Sequence, residues 1–452
     1  MRTWVGSLAV WCAVAAWAQD GFVPLFNGKD LSGWVPCNIA PETFSARDGM
    51  LVTTGHPIGL LRTARMYENF EIEFEWRHLK PGGNSGFFVW ADGLPVTGSA
   101  FSRGIEVQVL DPGYDAKGKN EWYSTHGDIF AVNGAALTVA GRISPNGKRS
   151  FPSEERTKSS PEWNRYRLVA NNGDLSLSVN GKEVTIAKAA SPRKGYLMFE
   201  SEGSECHFRD IRIRELPSTN PNPEEVACEA EGFVPLFNGL DLRNWKVPEG
   251  DNGHWKVVGD VLDYDARSEA PGDKNLWSEK AYKNFQLVVD WRIKETPYIN
   301  PRACKILPDG SEETGADGKV VNIAIPDSDS GIFLRGQSKY QVNIWCWPVG
   351  SGEMYGVRRD QAMPPDVRAA ATPKIRADRP VGQWNRFDIT VRGNTVRVLL
   401  NGQVVLPGVE IPGLPESGPI ALQHHGGMKD GKWNSPPSLV QFRNIFIREL
   451  AP

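Results

Sequence analysis

The chain has 452 residues and a formal net charge of −3, from 51 basic and 54 acidic side chains. The charges are interspersed, with no basic tract or arm, so nucleic acid is excluded as the expected partner. The length suits two or three domains of roughly 100–200 residues each.

Taken in order, the first element is a leader. Arg2 precedes an apolar run from Val5 to Trp17, broken by Gly6 and Ser7, which closes in Ala16-Trp17-Ala18. A short apolar core ending in small-x-small reads as a secretory signal peptide over residues 1–18. It is shorter than the roughly 20 apolar residues of a spanning helix. No later stretch is apolar enough to span, so the expectation is export with no membrane span after cleavage. Cys12 falls inside this leader without a lipoprotein-type approach sequence. Beyond it lie Cys37, Cys206, Cys228, Cys304 and Cys346. Export permits disulfides. The spacings fit no zinc pattern, an odd count leaves one thiol over, and Cys304 with Cys346 is a candidate pair.

The body of the chain repeats itself. Gly21-Phe-Val-Pro-Leu-Phe-Asn-Gly28 recurs letter for letter at Gly232 to Gly239. Each copy continues into Asp-Leu and a Trp, as Asp30, Leu31 and Trp34, then Asp241, Leu242 and Trp245. Glu75-Trp76-Arg77 matches Asp290-Trp291-Arg292, Trp163-Asn164-Arg165 matches Trp384-Asn385-Arg386, and Phe208 to Leu216 matches Phe442 to Leu450. Order-preserving similarity at this period means duplicated domains rather than a solenoid. The expected divisions are residues 19–216, a Pro-, Asn- and Glu-rich linker at 217–231, and residues 232–452.

Both copies read as strands. Residues 70–76 run Phe-Glu-Ile-Glu-Phe-Glu-Trp, and residues 167–179 alternate around Leu168, Leu175, Leu177 and Val179. Asn180-Gly181 and Asn401-Gly402 follow such runs, and an Asn-Gly pair between alternating strands is a type I′ hairpin signal. No long amphipathic helix stands out. Many short strands with Gly- and Pro-rich turns predict two all-β sandwiches of antiparallel sheets.

Leu25-Phe-Asn-Gly-Lys-Asp-Leu-Ser-Gly-Trp34, Asn84-Ser85-Gly86 and Gly104-Ile-Glu-Val-Gln-Val-Leu-Asp111 resemble the 3-keto-disaccharide hydrolase domain family. Copy two carries Asp329-Ser-Gly-Ile-Phe-Leu-Arg335, Tyr340-Gln-Val-Asn-Ile-Trp345, Gly350-Ser-Gly-Glu-Met-Tyr-Gly356 and Ala421-Leu-Gln-His-His-Gly426. The resemblance implies two tandem concanavalin-like jelly rolls. It also implies an exported bacterial protein, periplasmic or extracellular, that cleaves glycosides oxidised at C3.

Strand residues i and i+2 share a face. Glu106 and Gln108 therefore point one way and Val107 and Val109 into the core; Gln341 and Asn343 oppose Val342 and Ile344. Aligned on local motifs, Asp128 corresponds to Glu353, Glu200 to Gln423, Glu202 to His425 and Trp90 to Arg335. Copy one thus offers Glu106, Asp128 and Glu200, with Glu202 beside them and Arg103, Gln108 and His126 as substrate contacts. Copy two offers Glu353, His424, His425 and Arg335 for chemistry, and Gln341, Asn343, Trp345 and Gln423 for binding. A C3 ketone acidifies the C2 proton. A base removes it, the enolate expels the C1 substituent, and water adds; the reaction needs a base, an oxyanion stabiliser and an acid. His424 or His425 is a candidate base because imidazole titrates near neutrality, Arg335 an oxyanion clamp and Glu353 an acid. A simple glycosidase needs two flanking carboxylates instead, and a carboxylate-rich patch also suits a hard cation such as Ca²⁺. Outward carboxylates are also ordinary surface, Trp345 and Trp347 suit either a sugar platform or core packing, and adjacent His424 and His425 face opposite ways. Two classes stay open: an enzyme acting on 3-keto-glycosides, and a non-catalytic tandem of carbohydrate-binding modules. A chain with one copy of each kind lies between them. An oligosaccharide or glycoside is the expected partner in every case.

Overall fold

The computed structural model describes residues 21–115, 124 and 126–451. The expected signal peptide at 1–18 and Cys12 lie outside the described residues. The chain forms two compact units that divide between Glu231 and Gly232, and each is a jelly-roll sandwich of two antiparallel sheets.

In the first unit the front sheet runs Arg142–Ile143, Arg149–Phe151, Ile129–Val132, Gly104–Leu110, Asn84–Ala91, Tyr196–Ser201, Gly59–Thr63 and Trp34–Cys37. The back sheet centres on Phe70–His78, flanked by Asn164–Asn171 and Cys206–Glu215. The alternation in residues 70–76 has a direct cause. Phe70, Ile72, Phe74 and Trp76 enter the core. On the opposite face Glu73 pairs with Arg165 at 2.5 Å and Arg212 at 2.6 Å, Glu75 with Arg209 at 2.7 Å, and Glu71 with Arg167 and Arg214. Between the sheets Phe74, Phe87, Phe199 and Phe208 interlock, with ring centroids 4.4 Å apart for Phe199 and Phe208 and 5.1 Å for Phe74 and Phe87. The two Asn-Gly turns form as expected. Asn180 and Gly181 have φ of 49° and 87°, Asn401 and Gly402 of 52° and 78°, the positive pair that a type I′ turn demands.

The second unit repeats this plan. Ser330–Leu334 sits between Gln337–Ile344 and Gly418–Leu422 in the front sheet, and Phe285–Ile293 between Asn385–Arg392 and Val440–Glu449 in the back. It adds two hairpins, Tyr298–Cys304 with Asn322–Asp327 and Gly427–Lys429 with Lys432–Ser435. Two short helices, Tyr355–Arg359 and Pro365–Ala370, complete it.

Three expectations change. Residues 217–231 are not a free linker. Ala227 donates its N–H to the Lys194 carbonyl at 2.7 Å, Gly93 donates to the Cys228 carbonyl at 2.7 Å, and Arg193 clasps Glu225 at 2.9 and 3.0 Å. Val226 and Ala227 are buried, so the segment finishes the first unit. Cys304 and Cys346 are unpaired, and Cys206 and Cys228 are also free thiols. Finally, Arg335 is a structural plug. It occupies the position of Trp90, both with positive φ, 50° and 53°. Its guanidinium donates to the carbonyls of Gly393 and Pro415, each at 2.7 Å, and of Lys283. Trp90 likewise donates its indole N–H to the Glu68 carbonyl at 2.7 Å. A cation spent on three backbone carbonyls is not available as an oxyanion clamp.

These bent positions lie against glycines. A Cβ at Gly195 would overlap the Trp90 backbone and stand 2.7 Å from the Ala227 Cβ. Gly195→Ala should therefore destabilise the first unit by about 2 kcal/mol or more through overpacking, read as a lowered denaturant midpoint for the full-length chain.

Candidate functional site

Three neighbouring front-sheet strands assemble the first site. Gly86 lies opposite Gln108, Phe88 opposite Glu106, and Phe87 opposite Phe199. That register turns Glu106, Gln108 and Glu200 outward while Val107, Val109 and Phe199 join the core. The outward groups line a cavity of about 280 Å³ together with Asn84, Arg149 and Glu202. Phe101, Tyr114 and Phe130 form its aromatic wall.

Gly86 makes this arrangement fit. A Cβ there would stand 2.5 Å from Glu200 Oε2 and 2.7 Å from Glu106 Oε1. Two carboxyls therefore share the space over one glycine. Burial, and then the Glu202 charge, push the Glu106 carboxyl up to about 8. Burial and the Glu106 charge drive Glu200 well above the carboxylate range, and among the described residues Glu200 Oε2 has no hydrogen-bond partner. Glu202 is half-buried, and burial raises it to about 7 against the pull of Arg149. Close carboxyls with little solvent hold protons at neutral pH because both cannot ionise together.

A polar chain supports them. Arg149 lies 3.5 Å from the Phe130 ring centroid, donates to Gln108 Oε1 at 3.2 Å and pairs with Asp128 at 3.5 Å. Gln108 donates to Asn84 Oδ1 at 2.9 Å, and Asn84 donates to Glu202. Asp128 is wholly buried and receives the Ser124 hydroxyl; burial raises it to about 6, with the Ser124 hydrogen bonds and Arg149 restraining the rise. It stands behind Arg149 and off the cavity wall. His126 is also buried, takes the Arg156 N–H at 3.3 Å on Nε2, and is depressed to about 4 by desolvation. Arg103 is held by Asp92 in two bonds of 2.9 Å. Neither His126 nor Arg103 reaches the cavity. Sequence reasoning missed Arg149, although Asn146-Gly147 marks the turn of the hairpin that carries it. It also quoted Asn84 only as part of a motif.

The second unit presents the same positions with different chemistry. Gly331 lies opposite Asn343, Phe333 opposite Gln341, and Ile332 opposite Leu422. Gln341 thus replaces Glu106, Asn343 replaces Gln108, Gln423 replaces Glu200, His425 replaces Glu202 and Asp329 replaces Asn84. The hydrogen bonds agree: Ser85 donates to the Glu200 carbonyl at 2.8 Å, and Ser330 to the Gln423 carbonyl at 3.0 Å. Where the first unit crowds two carboxyls, Gln341 donates its amide to Gln423 Oε1 at 2.7 Å. Glu353 takes the place of Asp128, since Gln108 N–H meets the Asp128 carbonyl at 2.9 Å and Asn343 N–H the Glu353 carbonyl at 3.0 Å. Glu353 is wholly buried and clasped to Arg358; burial raises it to about 7 against that attraction. It is sealed from the face, as Asp128 is.

The two adjacent histidines separate. His425 stays on the outer face, its Nδ1 2.6 Å from the Pro436 carbonyl. His424 turns to Tyr264, Nδ1 to hydroxyl 2.6 Å, and desolvation lowers it to about 4. It is the structural member of the pair. Trp345 stacks flat on Trp347 at 4.3 Å and lines a separate cavity of about 500 Å³ with Trp291 and Arg376. Gln341, Asn343, Gln423 and His425 take no part in that wall. Among the described residues, no group of three or more His, Cys, Asp or Glu side chains is arranged to hold a metal ion, and this includes the carboxylates considered for Ca²⁺.

Comparison with known proteins gives a consistent family. The model of the 3-keto-alpha-glucoside-1,2-lyase-like domain matches residues 21–214 and again 232–448. A 3-keto-disaccharide hydrolase of Bacteroides thetaiotaomicron is 32% identical over 110 residues, 20% of this chain and 38% of the relative, so the match spans little more than a third of that protein. Among solved structures, a Parabacteroides distasonis protein described as a candidate glycosyl hydrolase is 23% identical, with a TM-score of 0.35 over 44% of this chain and 94% of its own. A carbohydrate-binding module from Bacillus subtilis is 12% identical, with a TM-score of 0.29 over 40% and 96%.

The crowded acids carry a stability cost that depends on pH. A carboxyl whose folded pKa lies above its unfolded value favours the fold while protonated, and that favour is lost as pH rises through the folded pKa. For Glu106 the window runs from about 4.5 to about 8. The double variant Glu106→Gln, Glu200→Gln reproduces the amide pair of the second unit. It should be more stable than the parent at pH 9 by more than about 1 kcal/mol and close to it at pH 5, measured by thermal unfolding of the full chain.

Proposed function

The chain belongs to the 3-keto-alpha-glucoside-1,2-lyase-like domain family, in two copies, and from that premise we propose that it is an exported, carbohydrate-active enzyme whose first unit cleaves 3-keto-glycosides. The observation that carries this reading is the Glu106–Glu200 pair over Gly86, with Glu202 open beside it. One cavity then holds both a group that keeps a proton at neutral pH and a group that can take one.

In this reading the sugar ring lies against Phe130 and Tyr114 with C2 toward Glu202. Glu202, the least buried of the three acids, takes the C2 proton. The electron pair moves to the C3 oxygen, where the Arg149 charge stabilises the developing enolate. As the enolate collapses, the C1–O bond breaks, and Glu106 hands its proton to the departing oxygen. Water then adds across the C1–C2 double bond, its oxygen to C1 and a proton to C2, so the sum is hydrolysis. Glu200 touches no reacting atom; its role is to keep the Glu106 proton in place. Export to the periplasm or beyond belongs to the same proposal and rests on the leader at residues 1–18.

The test is release of free sugar from a 3-keto-glucoside by the purified protein, with the unoxidised glucoside alongside. Release should be confined to the keto substrate. Glu106→Gln and Glu202→Gln should each lower kcat by about 10²–10⁴-fold, the usual worth of a general acid or base, with near-ultraviolet circular dichroism unchanged. The kcat/KM profile should rise as Glu202 ionises near 7 and fall as Glu106 loses its proton near 8. Equal cleavage of the unoxidised glucoside would replace this reading with an ordinary two-carboxylate glycosidase. No release from either would favour a tandem sugar-binding protein.

A further inference from the structure

The second unit keeps the strand register of the first site and changes its chemistry. Three of its outward groups are half-buried and reachable: Asp329, Gln423 and His425. Gln423 Oε1 is occupied by the Gln341 amide at 2.7 Å, so Gln423 presents its own amide as a donor. His425 Nδ1 faces the Pro436 carbonyl at 2.6 Å. A carbonyl only accepts, so Nδ1 carries the proton, and in the neutral imidazole Nε2 is left as an acceptor. Asp329 is a further acceptor when ionised, burial raising its carboxyl to about 7. The unit's extra hairpin at Gly427–Ser435 runs into Pro436 and Pro437, and the Asp329 N–H donates to the Pro437 carbonyl at 3.3 Å. That hairpin has no counterpart in the first unit, where Ser201 and Cys206 are joined by a short turn.

This set cannot repeat the first unit's reaction. Both crowded acids are amides, Glu353 is sealed against Arg358, and the acid left on the face, Asp329, stands where the first unit has Asn84 rather than at either crowded position. What remains is two acceptors and one donor. Acceptors bind hydroxyl groups, which have a proton to give; a ketone has none. The first site has the opposite bias, since protonated carboxyls donate to a carbonyl or a leaving oxygen.

We infer that the front face of the second unit is a non-cleaving binding site for an unoxidised pyranoside, gripping neighbouring hydroxyls through Asp329, His425 and Gln423. The inference rests on reading the front face as sugar-directed, not on the first unit's being catalytic.

The full-length protein is titrated with methyl α-glucoside and with its 3-keto derivative by isothermal calorimetry, and turnover of the 3-keto substrate is measured in parallel. Methyl α-glucoside should bind, and Asp329→Asn and Gln423→Ala should each weaken it at least tenfold while sugar release stays within twofold of the parent. Glu106→Gln should leave that affinity unchanged. Asp329→Asn is nearly isosteric, and Gln423→Glu gives a second variant should Gln423→Ala fail to fold. Absence of methyl α-glucoside binding, or binding indifferent to all of these changes, overturns the inference. So does loss of turnover on Asp329→Asn, which would make the second unit catalytic. If the parent releases no sugar from either substrate yet binding still depends on Asp329, the cleavage reading falls and this inference stands.

Discussion

Everything at the two faces depends on the two-residue period of the front-sheet strands. Glu106 and Gln108 face outward only because Val107 and Val109 are committed inward, and Glu200 only because Phe199 packs on Phe74, Phe87 and Phe208. A slip of one residue would send carboxyls into an aromatic core, at a cost far beyond the stability of a domain. The site is therefore positioned by the core rather than by its own contacts. This is why it can hold two unfavourably close acids: the packing behind them is large enough to impose the geometry.

Much of this was legible in the chain. Period-two alternation, Asn-Gly turns and exact repetition of motifs each reflect a local rule, and local rules survive in sequence. The outward direction of Glu106, Gln108, Gln341 and Asn343 followed from parity alone. The correspondence of Glu200 with Gln423 and of Asp128 with Glu353 came from aligning local motifs, and the paired strands reproduce it.

The remainder concerns where a side chain goes after it leaves the backbone. Arg335 was read as a clamp because a cation near a polar motif suggests an anion. In the fold, three backbone carbonyls claim it. Arg149 and Arg358 do the same work, one beside Asp128 and one on Glu353, yet one lies 21 residues beyond its acid and the other five. No alignment of the two copies would pair them. His126 and Arg103 are near the site in sequence and absent from it in space. Residues 217–231 have the composition of a tether, but Val226, Ala227 and the Arg193–Glu225 pair tie them down.

The Gln341–Gln423 pair also bears on how a duplicated domain ages. Glutamate and glutamine differ by one base in their codons and by almost nothing in volume. Exchanging either acid of such a pair needs no repacking, and it removes a burden that the fold otherwise carries at every pH above the carboxylate range. Once one copy is released from selection for turnover, drift has a downhill direction at these two positions. The gene need only stop being corrected for a reactive surface to settle into an inert one.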